Sequence, residues 1–160
     1  MGRMQCKCGN ILSDAEVPNK VRMWVHTNDE WLSVVQKLMD GKWDWKRQWA
    51  IWYCPECKRV YAINRLLHLT KVFAVESQSL KECKCVDVDN KLQREQMEKI
   101  WAFEDAESDA VYESVREGKA DIKPKNKVWY CSECERLLVL CEDKKDERVY
   151  YLEQEIDHKY

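Results

Sequence analysis

No stretch of this 160-residue chain approaches the ~18–20 consecutive apolar residues that a helix needs to cross a bilayer. The N-terminal MGRMQCKCGN has no apolar run behind its basic residue, so a secretory signal is not expected. Gly2 invites N-myristoylation, but that signal wants Ser or Thr at the sixth position, where Cys6 stands. The patterns of common catalytic machinery are missing too: no Gly-rich phosphate loop, no G-x-S-x-G, no H-E-x-x-H or H-x-E, and no paired-acid motif. Histidine is scarce, and His26, His68 and His158 lie near no cysteine pair. The expectation is a cytoplasmic protein that is not an enzyme and does not engage a membrane. Bulk disorder is excluded, because 45% apolar and 35% charged residues suffice for a core and a solvated surface. The length suits one domain or two small ones.

Cysteine, by contrast, is plentiful. Nine occur, at Cys6, Cys8, Cys54, Cys57, Cys83, Cys85, Cys131, Cys134 and Cys141. The first four step by 2, 46 and 3, and the next four repeat those steps. A shift of 77 residues aligns the chain on itself without a gap. Cys6-Lys7-Cys8 falls on Cys83-Lys84-Cys85, Trp24 on Trp101, Gly41-Lys42 on Gly118-Lys119, and Trp52-Tyr53-Cys54 on Trp129-Tyr130-Cys131. The reading is a tandem duplication: a first unit over 1–77, a second over 78–154, and a tail over 155–160.

Each unit carries the same local pattern. Residues 21–26 are rich in β-formers and predict a strand. Asn28 then offers a cap for a helix whose apolar Trp31, Val34, Val35 and Leu38 follow i, i+3, i+4, i+7, ended by Gly41. In the second unit Asp105 takes the cap and Gly118 the stop. Strands are predicted near 48–53, 59–64 and 70–76, and again near 127–130, 136–141 and 147–152. The expected fold class is α+β, a tandem duplication of a zinc-ribbon-like unit. Each unit would have a four-cysteine zinc site, one helix and a small antiparallel sheet.

Two close cysteine pairs per unit match a structural zinc site, since zinc takes four tetrahedral thiolates and C-x-x-C is the spacing of a knuckle turn. The expected ligands are Cys6, Cys8, Cys54 and Cys57 for one ion, and Cys83, Cys85, Cys131 and Cys134 for a second. Disulfides or buried thiols are the alternative, but an odd cysteine without an export signal disfavours a disulfide framework. Four closed thiolate ligands leave no open position for water, so the metal is expected to be structural. Cys141 is the odd thiol, expected in a strand.

The units differ in charge and aromatics. Residues 1–77 carry 12 Lys+Arg against 8 Asp+Glu, and residues 78–160 carry 15 against 21, which together give the net −2. The acids Glu104, Asp105, Glu107, Asp109 and Glu113 crowd the start of the second predicted helix, more than a helix dipole requires, and would steer a basic partner. Trp43, Trp45 and Trp49 belong to the first unit alone, where they either pack against the other unit or form a protein-binding hot spot. Basic residues among aromatics can also stack on single-stranded bases, but a pI near 6.0 argues against a strong phosphate-binding surface.

The stretches Met4–Asp14, Asn28-Asp29-Glu30-Trp31 and Cys54-Pro55-Glu56-Cys57-Lys58-Arg59-Val60-Tyr61 resemble a group of small bacterial zinc-ribbon proteins with C-x-C-G and C-P-x-C motifs. Some of that group resemble immunity proteins of polymorphic toxin systems. The second unit shares the cysteines but has Val86 and Ser132 where the group has Gly and Pro. The resemblance implies a cytoplasmic immunity protein that neutralises a cognate toxin in a 1:1 complex. The alternative is a nucleic-acid-binding or transcription-related zinc ribbon.

Overall fold

The computed structural model describes residues 2–15, 19, 21–42, 49–64, 68–75, 97–119, 126–141 and 146–157. Ten strands and two helices follow one another along them. A small hairpin comes first, β1 (Arg3–Gln5) with β2 (Ile11–Ser13). The first half continues with β3 (Arg22–Thr27), α1 (Asn28–Met39), β4 (Trp49–Tyr53), β5 (Val60–Asn64) and β6 (Leu69–Val75). The second half supplies β7 (Glu98–Glu104), α2 (Asp105–Arg116), β8 (Asn126–Cys131), β9 (Arg136–Cys141) and β10 (Asp146–Asp157). The two helices start 77 residues apart, and so do β4 and β8.

Strands β3 to β10 close into one antiparallel barrel in the order β10-β6-β5-β4-β3-β7-β8-β9. This corrects the expected α+β arrangement of two zinc-ribbon units. Neither half forms its own small sheet; each contributes four strands to a shared one. The physical reason lies at the edges. Four strands from one half would leave two edges of unpaired N–H and C=O groups, and closure removes them. The two joints between halves are β3 with β7 (Met23 opposite Glu104, Thr27 opposite Ile100) and β6 with β10 (Val75 opposite Tyr150, Leu69 opposite Asp157). Residues 155–157, expected in a tail, are the end of β10 and pair with Leu69, Thr70 and Lys71.

Alternation along each strand sorts the side chains. Val25, Ile51, Val60, Phe73, Ala102, Val128, Leu137 and Tyr150 form one buried cluster that fills the barrel interior. The outward residues build further clusters, among them two large ones. On one side Trp24, Ala50, Trp52, Tyr61 and Val72 lie beneath the β1–β2 hairpin. On the other, Trp31, Val34 and Leu38 of α1 and Tyr112 and Val115 of α2 pack around Phe103.

The helices are bounded by local chemistry. For α1 the N-cap is Thr27 rather than Asn28: its hydroxyl accepts from the Glu30 amide (3.2 Å), and Glu30 accepts from the Thr27 amide (2.8 Å). For α2 the cap is Glu104 rather than Asp105, with Glu107 accepting from the Glu104 amide at 3.1 Å. Gly41 and Gly118 follow at φ +71° and +79°, the left-handed conformation that ends a helix with little strain only at glycine. Asp105 is thereby released for another task. It accepts from the Trp24 indole and from Arg22 (2.8 Å each), while Arg22 also reaches Asp14 at 2.6 Å. Arg22 thus links the segment after β2, strand β3 and the start of α2. Among the described residues, no helix is long and apolar enough to cross a membrane.

Candidate metal centre

The hairpin β1–β2 and the turn between β4 and β5 face each other outside the barrel. The first turn carries Cys6 and Cys8. It is closed by the Gly9 amide donating to the Cys6 carbonyl (2.8 Å) and the Cys6 amide donating to the Asn10 carbonyl (2.8 Å). The second carries Cys54 and Cys57, closed by the Lys58 amide on the Cys54 carbonyl and the Cys54 amide on the Arg59 carbonyl (2.9 Å each). Both turns need a left-handed residue, which Gly9 supplies at φ +93° without strain and Lys58 at φ +63° at some cost.

The four sulfurs lie within 4.8 Å of one another and could hold a metal ion. Cys6 Sγ stands 3.3 Å from Cys57 Sγ and 3.4 Å from Cys8 Sγ, and Cys8 Sγ is 3.7 Å from Cys54 Sγ. A disulfide requires about 2.05 Å, so these are four free thiols. Tetrahedral sulfur around an ion at ~2.3 Å implies S···S separations of about 3.8 Å. Those three separations lie at or somewhat below that value, and all six are within 4.8 Å. All four sulfurs of this group come from the first half, so an ion held there would be ligated within the half rather than exchanged between halves.

Electrostatics argue in the same direction. Burial pushes the Cys6 thiol up to about 12. Burial also works to raise Cys57, but the Arg59 amide and guanidinium and the Cys6 and Cys8 thiols outweigh it and bring it down to about 6. Cys54 is lowered as well, burial being outweighed by the amides of Cys57 and Glu56. Four sulfurs this close cannot all ionise against mutual repulsion unless a cation sits among them.

A surrounding layer orients the thiols. Tyr61 donates to Cys6 Sγ (3.1 Å) and accepts from the Lys7 amide (2.9 Å), while Asn10 Nδ2 lies 3.8 Å from Cys54 Sγ. Arg59 hydrogen-bonds Cys57 and forms a two-pronged pair with Glu153 of β10 (2.8 and 3.2 Å), so the second half supports the first half's centre. None of Tyr61, Asn10, Arg59 or Glu153 was expected as a site residue. The signal lay in the 77-residue offset, at which Arg59 recurs as Arg136 and Glu76 as Glu153.

The second expected set is only partly in view. Cys131 is buried at the end of β8 in a cluster with Met97 and Leu138, and Cys134 packs beside it. Glu135 takes a left-handed φ of +51°, the counterpart of Lys58 at +63° 77 residues earlier. Cys83 and Cys85 lie outside the described residues.

The expected partner-binding residues disperse. Glu104 and Glu107 form the capping box of α2, and Asp105 is engaged by Arg22 and Trp24. Asp109 and Glu113 stand exposed one turn apart on α2. Trp49 is half-buried in β4, lining the barrel interior opposite Val25. Trp43 and Trp45 lie outside the described residues, as does His158. His26 is buried, with Nε2 3.1 Å from the Tyr112 hydroxyl and its ring against Trp31, and His68 is exposed in a turn. Cys141 ends β9, paired with Asn126 and Asp146.

Residues 2–77 match the family model described as a domain of unknown function, DUF8617. No curated protein matches the chain, and no solved structure does.

Proposed function

We propose that this chain is a zinc-stapled β-barrel that works by binding: a cytoplasmic immunity protein that covers a basic toxin domain in a 1:1 complex. Zinc is the ion that suits four thiolates in a tetrahedral cage. With all four positions filled by sulfur, the ion holds the hairpin to the barrel and leaves no place for a reacting water. A second zinc completes the reading, bound by Cys83, Cys85, Cys131 and Cys134.

The observation that carries the binding role is the outer surface of the two-helix layer. Helix α1 exposes Leu32 and Met39, 59% and 62% accessible and seven residues apart, hence on one face. Helix α2, packed beside α1, exposes Asp109 and Glu113 on consecutive turns. Exposed large apolar side chains on one helix and exposed acids on the helix packed beside it suit a partner that is basic around an apolar centre. The resemblance to immunity proteins supplies the class of partner.

The experiment is recovery of the tagged full-length chain from its host, with native mass spectrometry of what accompanies it. A stoichiometric basic protein, lost from the double variant Asp109→Lys/Glu113→Lys and from Leu32→Asp, is the expected result. If neither variant weakens the complex or the protection it gives against the co-expressed toxin, the helical face is not the binding surface. Nucleic acid recovered in its place, and released by salt, overturns the immunity reading.

A further inference from the structure

The apolar cluster inside the barrel leaves a cavity at each end. One, of about 170 Å³, lies at the Thr27 end. The other, of about 380 Å³, lies at the Glu104 end. Ile51, Val128 and Leu137 line both and so form the floor between them. The ends are counterparts at the 77-residue offset, where Trp49 falls on Asn126, Ala62 on Val139 and Phe73 on Tyr150. They differ in chemistry. The Glu104 end has Asn19, Arg22, Glu104, Asn126 and Arg148 on its wall, polar residues of the kind that hold water. The Thr27 end is walled chiefly by Val25, Ile51, Phe73, Ile100, Val128 and Leu137.

The charged groups and hydroxyls at the Thr27 end are already engaged or lie in water. Lys71 has three protons and three partners, the Tyr130 hydroxyl at 3.3 Å, Glu135 at 3.2 Å and Glu155 at 3.5 Å. The Thr27 hydroxyl accepts from the Glu30 amide as the cap of α1. His26 turns its ring away from the barrel, onto Trp31 and Tyr112 of the helical layer. Glu98 stands exposed at the mouth. A water inside needs about two to four polar partners and finds few among these groups. A charged group carried inside would lose its hydration without a free counter-charge.

We infer that the Thr27 end of the barrel binds a small neutral aromatic molecule of a single ring. An apolar cavity of about 150 Å³ lined by Leu, Ile and Phe stays dry and admits benzene, and this cavity has a similar size and a similar lining. An eight-stranded barrel is wide enough to hold one small ligand. Drug-sized ligands need about 300 Å³ or more, so a second ring is not accommodated. The wall favours a flat ring over an aliphatic one. Phe73 and Tyr130 stand edge to face, centroids 6.4 Å apart at 84°, and Trp49 adds a third aromatic surface. The site is separate from the four sulfurs and from the outer helix face.

The test is titration calorimetry on the full-length, metal-loaded protein with benzene, cyclohexane, benzoate and benzylammonium. Benzene is expected to bind at least tenfold more tightly than either ion and severalfold more tightly than cyclohexane. Ala62→Leu, which fills this end, should weaken benzene at least tenfold. Val139→Leu, the counterpart change at the other end, should leave it unchanged, with circular dichroism reporting that both barrels persist. In the wild type, nuclear Overhauser contacts from benzene to the methyls of Val25 and Ile100 place the ligand without any substitution. Contacts to Val139 instead, or benzene binding untouched in a folded Ala62→Leu protein, overturn the location. An ion that binds as tightly as benzene overturns the neutral character, and cyclohexane binding equally overturns the aromatic preference. No benzene binding up to its solubility in water overturns the site.

Discussion

Replacing Cys54 by Ala tests what a metal in the four-sulfur group would do for the fold. Cys54 is fully buried at the end of β4, with its sulfur 3.7 Å from Cys8 and within reach of Asn10. The β1–β2 hairpin that carries the other pair has strands of three residues each, and a two-stranded hairpin that short does not persist alone in water. What fastens it is the four-sulfur cluster together with buried Leu12 and the Tyr61–Cys6 bond. A four-thiolate zinc site contributes on the order of 10 kcal/mol of apparent folding free energy. If removing one ligand forfeits half of that, the loss is about 5 kcal/mol. For a chain of this size each kcal/mol shifts Tm by about 2–4 °C, so Cys54→Ala should melt about 10–20 °C lower. Because both halves share one barrel, the variant should melt in a single transition rather than losing its first half alone. Trp24 and Trp52 pack in the same cluster, so chelation of the wild type should red-shift tryptophan emission before strand content falls. Differential scanning fluorimetry with metal analysis reads both quantities. A Cys54→Ala protein that melts within about 2 °C of wild type, or a wild type indifferent to loss of one equivalent of metal, would refute the argument.

Two further perturbations follow from charged groups inside the structure. Arg22→Ala leaves the Asp14 and Asp105 carboxylates, 7% and 17% exposed, without the cation between them; the expected cost is about 3 kcal/mol in urea denaturation, and a loss below 1 kcal/mol would mean water replaces the guanidinium. Burial works to lower Lys71, but the Tyr130 hydroxyl and Glu135 outweigh it, so its folded pKa lies above the ordinary lysine value. A raised folded pKa means that the contribution is fully present below the unfolded value of about 10.5 and is lost as pH rises through the folded one. The stability gap between wild type and Lys71→Met should therefore be constant from neutral pH to about pH 9 and shrink above pH 11; a gap that widens on the alkaline side contradicts the sign.

Much of the secondary structure was legible because it is locally encoded. The apolar spacing of Trp31, Val34 and Leu38 marks α1, and the strands expected near 48–53, 59–64 and 136–141 lie within a residue of those observed. The helix starts were displaced by one position because a capping box needs a side-chain acceptor at the cap and an acid three residues on. Thr27 with Glu30 and Glu104 with Glu107 satisfy that, whereas Asn28 and Asp105 do not. The barrel was not legible. Inward Val25, Ile51 and Phe73 have the same alternation whether they cover a private core or face Val128 and Leu137 across a shared one, and nothing local specifies that β3 pairs with β7. The four-sulfur group was legible as a ligand set from spacing alone. Its supports were not, since Arg59 finds Glu153 across 94 residues.

The 77-residue offset acquires a structural meaning at the joints. Residues from one half complete groups belonging to the other: Arg22 with Asp105 beside the β3–β7 joint, Arg59 with Glu153 near the β6–β10 joint, and Lys71 with Tyr130 and Arg148 with Tyr53 across the barrel. Each such pair ties the two halves together, so a change on one side of a joint is felt at a site on the other. The constraint falls on the joints and the inward faces, which stay alike between halves in position and in kind: Phe73 and Tyr150, Val60 and Leu137, Ile51 and Val128. It does not fall on the barrel ends or on the outer helix faces. There Glu135 can stand for Lys58, Asn126 for Trp49 and exposed Asp109 for exposed Leu32 without breaking closure. A barrel closed by two matched halves thus carries two ends and two helix faces that can diverge separately. The exposed acids Asp109 and Glu113 of α2, where α1 has Leu32 and Gln36, are one such divergence.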